Sequence, residues 1–376
     1  MNVENREVLI VNYAFSIFRG GGENFDLNIC KEFNLSGINS SIVTVDPFFC
    51  KNKPATIDGI KIKYVRAFWF YDFSSYLKSI NPKLSGVGYA MRILGQFSFE
   101  ISVIFFIIRQ KRNKNLLVLT TFLPFLTFFA SNVLNISAYM RSPGPLLSPY
   151  ERIFFRFIKV LCNGDAYRKL VKDYPNQVNY VEIGVGKFIL PKTNKINDNN
   201  FTEIAIVGRL IPIKGIGQLL KILKIVNSIY PLKIHIFGDG VLKNKLVSQS
   251  FKLKLNNNVI MHGFLEKEKL YESLENLDCL LMNSKYDNFP NVLVEANALG
   301  LPVWAPNVGG IDLIIENRVN GFIVNKNLNI NEKAESICEF IKFIKDGKFD
   351  SVEISRKCQM KFDWKRTIQN ILELTN

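Results

Sequence analysis

Short apolar runs of strand length alternate with stretches of helical spacing along most of the chain, and glycines mark several junctions. Glu7 to Ala14 reads EVLIVNYA; a loop with Gly20, Gly21 and Gly22 follows, then helical spacing from Glu23 to Phe33 and the β-branched run SSIVTV from Ser40 to Val45. Parallel strands need a crossover connection, and a helix supplies it, so this order is the building block of a parallel sheet. The most polar stretch, KTNKINDNN from Lys192 to Asn200, reads as a linker. After it the alternation restarts: EIAIVG, a helix from Gly215 to Ile229, KIHIFG, a helix near Val241 to Leu255, VIMHGF, a helix from Glu266 to Leu277, CLLMN, one more helix, PVWAP and GFIV. At 376 residues two domains are expected rather than one. The pattern predicts two doubly wound α/β domains, residues 1–190 and 201–362, facing across a cleft that takes ligand.

One stretch imitates a membrane span. From Leu116 to Met140 there is no charged residue. Thr120, Thr121, Pro124, Ser131, Asn132 and Asn135 punctuate it into strand, helix and strand, whereas a span would be a single apolar helix of about 20 residues. A buried strand–helix–strand unit is therefore expected. The opening MNVENREVLIVNYAF lacks a secretory pattern, so a cytoplasmic protein is the expectation, and the scattered Cys30, Cys50, Cys162, Cys279, Cys338 and Cys358 read as reduced, mostly buried thiols. Only His235 and His262 could join them as zinc ligands, and no CxxC pair occurs; no metal site is expected.

The net charge of +15 is uneven. Residues 1–196 carry 25 Lys and Arg against 13 Asp and Glu, or +12, and the remainder carries +3. The first half suits an anionic partner: a membrane surface or a lipid-linked phosphate before nucleic acid, for which no binding motif accompanies the charge. Lys78, Lys83, Arg92, Arg109, Lys111, Arg112 and Lys114 flank apolar runs at Ala67–Tyr76 and Phe97–Ile108, the composition of a surface that docks on anionic lipid. An apolar core with a solvated rim has the same composition.

The densest chemistry lies between Ser284 and Val303, SKYDNFPNVLVEANALGLPV. Pro290 stands where a helix can begin, and Gly300-Leu301-Pro302 stops it. The segment offers a loop acid, Asp287, a helix start with free N–H groups at Asn291, Val292 and Leu293, and a second acid, Glu295, on the second turn. Upstream, Gly208-Arg209 closes a strand and Lys214-Gly215 opens a helix. A diphosphate needs converging positive groups; Arg209 offers a planar fork, Lys214 a compact charge. Gly238 and Gly240 follow the next strand and permit close backbone approach. His262 reads as a structural residue at a strand end and His235 as a core histidine.

GRLIPIKG, IFGDG and the Asp287-x7-Glu295 segment together resemble family 4 glycosyltransferases, whose motif has Glu where Asp287 stands. The resemblance covers most of the second half, through NVGGIDLIIENRVNGFIV, to a last helix beginning at Phe362-Asp363-Trp364 that in the family packs back on the first domain. In the first half only Gly20-Gly21-Gly22-Glu23 matches. The resemblance implies a GT-B fold of two Rossmann-like domains and retaining transfer of a sugar from a nucleotide donor to a hydroxyl of a glycan. The glycan is expected to be lipid-linked, in capsule or lipopolysaccharide assembly at the inner face of a membrane. No cofactor beyond the nucleotide-sugar donor and no metal are implied. Arg209 and Lys214 would meet the departing diphosphate, Glu295 the ribose and Asp287 the transferred sugar. Gly21, Gly22, Gly208, Gly238, Gly240, Phe264, Asn288, Phe289, Asn291, Val292 and Leu293 would line the donor site. Glu23 and Arg141 stand on the acceptor side. The shorter Asp287 and the lack of any histidine in the first half depart from the family. A catalytically silent nucleotide-sugar-binding module and a sugar-nucleotide epimerase of the same architecture are the alternatives; a dinucleotide oxidoreductase is disfavoured because no GxGxxG follows either first strand.

Overall fold

The computed structural model describes residues 6–13, 15, 21–46, 53–67, 85–110, 115–120, 125–141, 155, 157–186 and 201–375. They form two compact units, Met1–Glu182 with Trp364–Asn376, and Ile183–Asp363.

The first unit runs β1 (Arg6–Val11), α1 (Gly21–Leu35), β2 (Asn39–Val45), β3 (Thr56–Ile57), β4 (Ile60–Val65), α2 (Ser85–Gln110), β5 (Asn115–Thr120), α3 (Phe125–Val133), β6 (Ser137–Arg141), β7 (Val160–Cys162), α4 (Gly164–Asp173) and β8 (Val178–Tyr180). Its sheet has the order β3-β4-β2-β1-β5-β6-β7-β8. Every pairing is parallel except β3 with β4, which turn on Asp58 and Gly59, both at positive φ. β1 and β5 are buried on both faces and need apolar runs rather than alternation. The uncharged stretch from 116 to 140 is thus strand, helix and strand, with Asn135 at φ 53° ending the helix. The C-terminal helix Trp364–Thr375 belongs to this unit. Arg6 donates to the Thr375 carbonyl and hydroxyl at 2.9 Å each, the Tyr139 hydroxyl donates to the Leu374 carbonyl at 2.7 Å, and Trp364 packs against Phe25.

The second unit runs β9 (Thr202–Val207), α5 (Ile216–Val226), β10 (Leu232–Phe237), α6 (Lys243–Lys252), β11 (Val259–Gly263), α7 (Lys267–Leu274), β12 (Cys279–Leu281), α8 (Asn291–Ala298), β13 (Val303–Pro306), β14 (Gly321–Val324), α9 (Ile330–Lys345) and α10 (Ser351–Lys361). All pairings of its sheet are parallel, in the order β11-β10-β9-β12-β13-β14. The winding direction reverses between β9 and β12, so the loops at their carboxyl ends part there and leave a crevice. α5 buries Ile216, Leu219, Leu220, Leu223 and Val226 on one stripe and packs on α9.

Helices α9 and α10 lie between GFIV and the last helix, where the sequence analysis named no element. The signal was present: Asn329 accepts from the Asn331 and Glu332 N–H groups while the Glu332 carboxylate accepts from the Asn329 N–H, and Asp350 caps α10. The polar linker Lys192–Asn200 lies outside the described residues, as does Cys50; the other cysteines are free, and all but Cys338 are buried.

Candidate functional site

Four loops meet at the switch point of the second unit. The first follows β9 and carries Gly208, Arg209 and a 3-10 turn, Pro212–Lys214. Gly215 ends that turn at φ 64°, and a Cβ there would stand 2.1 Å from the Asn283 carbonyl oxygen. The loop after β12 is therefore pressed against the loop after β9. Lys285 N–H donates to the Ile213 carbonyl at 2.8 Å, and Asn283 bridges the Gly215 carbonyl and the ammonium of buried Lys333. Gly238 and Gly240 do the same for the loop after β10. Added methyl groups would meet the Gly208 oxygen at 2.0 Å and the Leu210 backbone at 2.7 Å. In the structure the close approach at these glycines is made by the chain's own backbone, which fixes the shape of the crevice.

The Arg209 guanidinium is exposed and has no partner among the described residues. Lys214 passes within 3.8 Å of where a Gly208 Cβ would be and binds the Asp287 carboxylate at 2.6 Å. The two groups expected on separate parts of a ligand thus form one partly buried ion pair, with side chains 20% and 18% exposed. The loop that carries Asp287 is held from behind. Gly310 N–H donates to the Asp287 carbonyl at 3.2 Å, and Gly309 (φ 61°) packs so closely that a Cβ would stand 1.7 Å from that oxygen.

α8 starts after Pro290, whose φ of −75° suits a helix entrance. Three expectations change here. Leu293 N–H is spent on the Pro290 carbonyl at 3.0 Å and the Leu293 side chain is fully buried, which leaves Asn291 and Val292 to present the open end. Phe289 is a core residue, edge-on to Phe362 at 5.8 Å, rather than a wall of the crevice. Glu295 is already engaged: its carboxylate pairs with Lys267 at 3.2 Å and hydrogen-bonds Tyr271, whose hydroxyl pKa is pushed up by burial and then by this carboxylate. Asn288 is half-buried, and Phe264, after β11, is exposed.

The first unit holds the remaining expected residues. Gly21 and Gly22 begin α1, and Glu23 stands half-buried in its first turn; Gly20 lies outside the described residues. Arg141 is engaged within the unit. It pairs with buried Asp26 at 3.1 Å and lies over the Phe25 ring at 4.6 Å. Burial pushes the Asp26 carboxyl up to about 6 despite Arg141 and an Asn12 hydrogen bond. A sequence pattern could not show that a carboxylate on α1 reaches the end of β6.

His262 stacks on Phe237 at 4.4 Å, a structural role. His235 is not a satisfied core residue: Nδ1 lies 3.0 Å from His262 Nε2, while its own Nε2 is buried without a hydrogen bond, 4.0 Å from Glu203. Burial lowers both imidazole pKa values, and His262 lowers that of His235 further. A depressed folded pKa means that the fold prefers the neutral rings. The contribution is present above about pH 6.5 and is lost as the pH falls below it. Thermal melts should show a steeper loss between pH 7.5 and 5.5 for the native chain than for His235→Gln; parallel losses would contradict this.

Lys267 and Tyr271 stand one turn apart on α7, whereas Asn283, Gly309 and Lys333 come from three other elements, so no single spacing links the five. NVGG before IDL does flag a tight approach at Gly309.

The first unit and the second correspond in order to known structures. The HepE protein of Anabaena, solved in complex with UDP and glucose, superposes with a TM-score of 0.72 over 98% of both chains at 17% identity. That likeness shows the fold, GT-B, with its two Rossmann-like domains. An uncharacterised glycosyltransferase of Methanocaldococcus jannaschii is 26% identical over 227 residues, 58% of this chain and 61% of the relative. The capsular polysaccharide biosynthesis glycosyltransferase CapM of Staphylococcus aureus is 32% identical over 151 residues, 39% of each chain. The chain thus spans less than two thirds of these relatives' length. Residues 189–349, which carry all four loops of the crevice, match the family described as glycosyl transferases group 1.

Proposed function

We propose that the chain is a retaining glycosyltransferase that moves a sugar from a nucleoside-diphosphate donor to a hydroxyl of a glycan. The observation that carries this reading is the meeting, at one switch-point crevice, of the loop that carries Arg209 and Lys214 with the open end of α8 and the carboxylates Asp287 and Glu295. Departure of the diphosphate breaks the bond between the sugar's anomeric carbon and a phosphate oxygen. Negative charge grows on that oxygen, and Arg209, Lys214 and the N–H groups of Asn291 and Val292 oppose it. The acceptor oxygen bonds to the anomeric carbon on the face just vacated, and its proton passes to the departing phosphate. Asp287, paired with Lys214, orients hydroxyls of the sugar, and Glu295, held by Lys267 and Tyr271, accepts from those of the ribose through its remaining lone pairs. No resident metal or cofactor is invoked.

Relatives supply the biological setting. CapM is named for capsule biosynthesis, and another neighbour of the fold is a lipopolysaccharide outer core galactosyltransferase. We place this chain in the assembly of a cell-surface polysaccharide, acting from the cytoplasm on a lipid-linked acceptor.

Nucleoside diphosphates test the donor reading. A ligand at a hundred times its dissociation constant stabilises a fold by about 2.7 kcal/mol. At least one of UDP, GDP, ADP and dTDP should raise the melting temperature of the native chain and fail to raise that of Arg209→Ala. Stabilisation by none of them would overturn the reading. Stabilisation without transfer from any nucleotide sugar would identify a silent binding module.

A further inference from the structure

Helix α2 has two apolar faces, although one is enough for its own fold. Phe99, Val103 and Ile107 are buried in the first unit's core. Leu94, Ile101, Phe105 and Ile108 recur at spacings of seven, four and three on the opposite side. On neighbouring α3, Phe129 and Val133 stand one turn apart, and all six are 48 to 72% exposed. A helix on the outside of a water-soluble unit keeps a polar stripe toward solvent. A stripe of this kind needs an occupant.

Charge identifies the occupant. Between residues 85 and 141 the only acidic residue is Glu100, against six Lys and Arg. Glu100 is buried, and its carboxylate accepts from the Leu126 and Thr127 N–H groups at 2.6 and 3.3 Å, which fastens the start of α3 to α2. No other acid of this segment offsets exposed Arg109 at the end of the stripe, which has no partner among the described residues. A second copy of the same face would set positive charge against positive charge. An anionic bilayer surface satisfies both properties: headgroups neutralise the cations while the stripe enters the acyl boundary.

Residues Ile93–Gln110 are also long and apolar enough to cross a membrane. Crossing would draw Phe99, Val103 and Ile107 out of the core and strand the Glu100 carboxylate in hydrocarbon. A helix that keeps these core contacts can lie on a bilayer but not cross it. We propose that the α2–α3 face of the first unit is a docking surface for anionic lipid, held in the plane of the membrane by the Leu94–Ile101–Phe105–Ile108 stripe. This deepens the lipid-linked acceptor proposed above by placing the chain where such an acceptor resides. Its evidence is independent of the donor crevice.

Co-sedimentation of the full chain with vesicles tests it. Phosphatidylcholine vesicles with about a third phosphatidylglycerol should bind the chain, and pure phosphatidylcholine should bind it at least about tenfold more weakly. Raising NaCl from about 50 to about 500 mM should weaken the anionic binding at least about tenfold, since the Debye length shrinks severalfold. The double variant Ile101→Gln with Phe105→Gln should lose about tenfold or more, with circular dichroism unchanged. Equal binding to both vesicles, indifference of this folded variant, or a native dimer that Phe105→Gln dissociates without vesicle uptake would each overturn the proposal. Nucleotide stabilisation is read separately. A chain that is stabilised but ignores vesicles refutes the docking surface alone; one that docks but ignores nucleotides refutes the donor reading alone.

Discussion

Lys214→Ala should lower turnover about a hundred- to a thousandfold while the second unit stays folded. Removing one preorganised group that opposes charge on a leaving oxygen has an effect of that order. The ion pair complicates a single substitution, because Asp287 would lose its partner at 2.6 Å. Its side chain is 18% exposed, so water compensates only in part. The double variant Lys214→Ala with Asp287→Asn separates the two roles. Because Asp287 also meets the sugar, Asp287→Asn alone is the reference. If Lys214 serves only to neutralise Asp287, the double variant turns over as fast as Asp287→Asn. If Lys214 meets the leaving phosphate, melting temperature recovers and kcat stays about a hundredfold below that of Asp287→Asn. Equal kcat in the two variants would refute the phosphate role. Lys214→Arg should retain part of the activity, with a larger effect on kcat than on KM, since the guanidinium brings charge but not the compact geometry.

Gly309→Ala should be nearly as damaging from a residue without functional groups. Its φ of 61° is strained for alanine, and the new methyl would meet the Asp287 carbonyl oxygen at 1.7 Å, backbone against backbone. The loop bearing Asp287 must move, at a cost of roughly 2–4 kcal/mol in stability. That shift carries Asp287 off Lys214 and lowers turnover at least about tenfold. Gly347→Ala is the matched control: its φ is 66°, and nothing lies within 4 Å of the added carbon. It should show backbone strain alone, about 1 kcal/mol, with transfer unchanged. Equal behaviour of the two variants in denaturant melts and activity would remove the packing argument.

Local pattern sufficed for the elements of both sheets that the sequence analysis named. EVLIVNYA, EIAIVG and KIHIFG are short, β-branched or apolar, and hold the strands Arg6–Val11, Thr202–Val207 and Leu232–Phe237. The uncharged segment from 116 to 140 parsed correctly, and Asn135, at φ 53°, marks the break before its second strand. The missed helices α9 and α10 were legible through Asn329, Glu332 and Asp350, since a cap is a local interaction. The burial of Phe289 was not legible for the opposite reason: its ring partner, Phe362, stands far along the chain.

The sequence by itself determined the reaction class under proposal: Gly208-Arg209, Lys214-Gly215 and Glu295 are residue types in an order that local chemistry can read. The tertiary structure alone decided what each charge touches. Lys214 meets Asp287 across 73 positions, Glu295 meets Lys267, and Arg141 meets Asp26. It also turned an apolar helix pattern into a two-faced helix, since periodicity cannot say which apolar stripe finds a core. Chain spacing encodes an element's own geometry. Partners in a parallel sheet come from crossovers, and no spacing rule spans them.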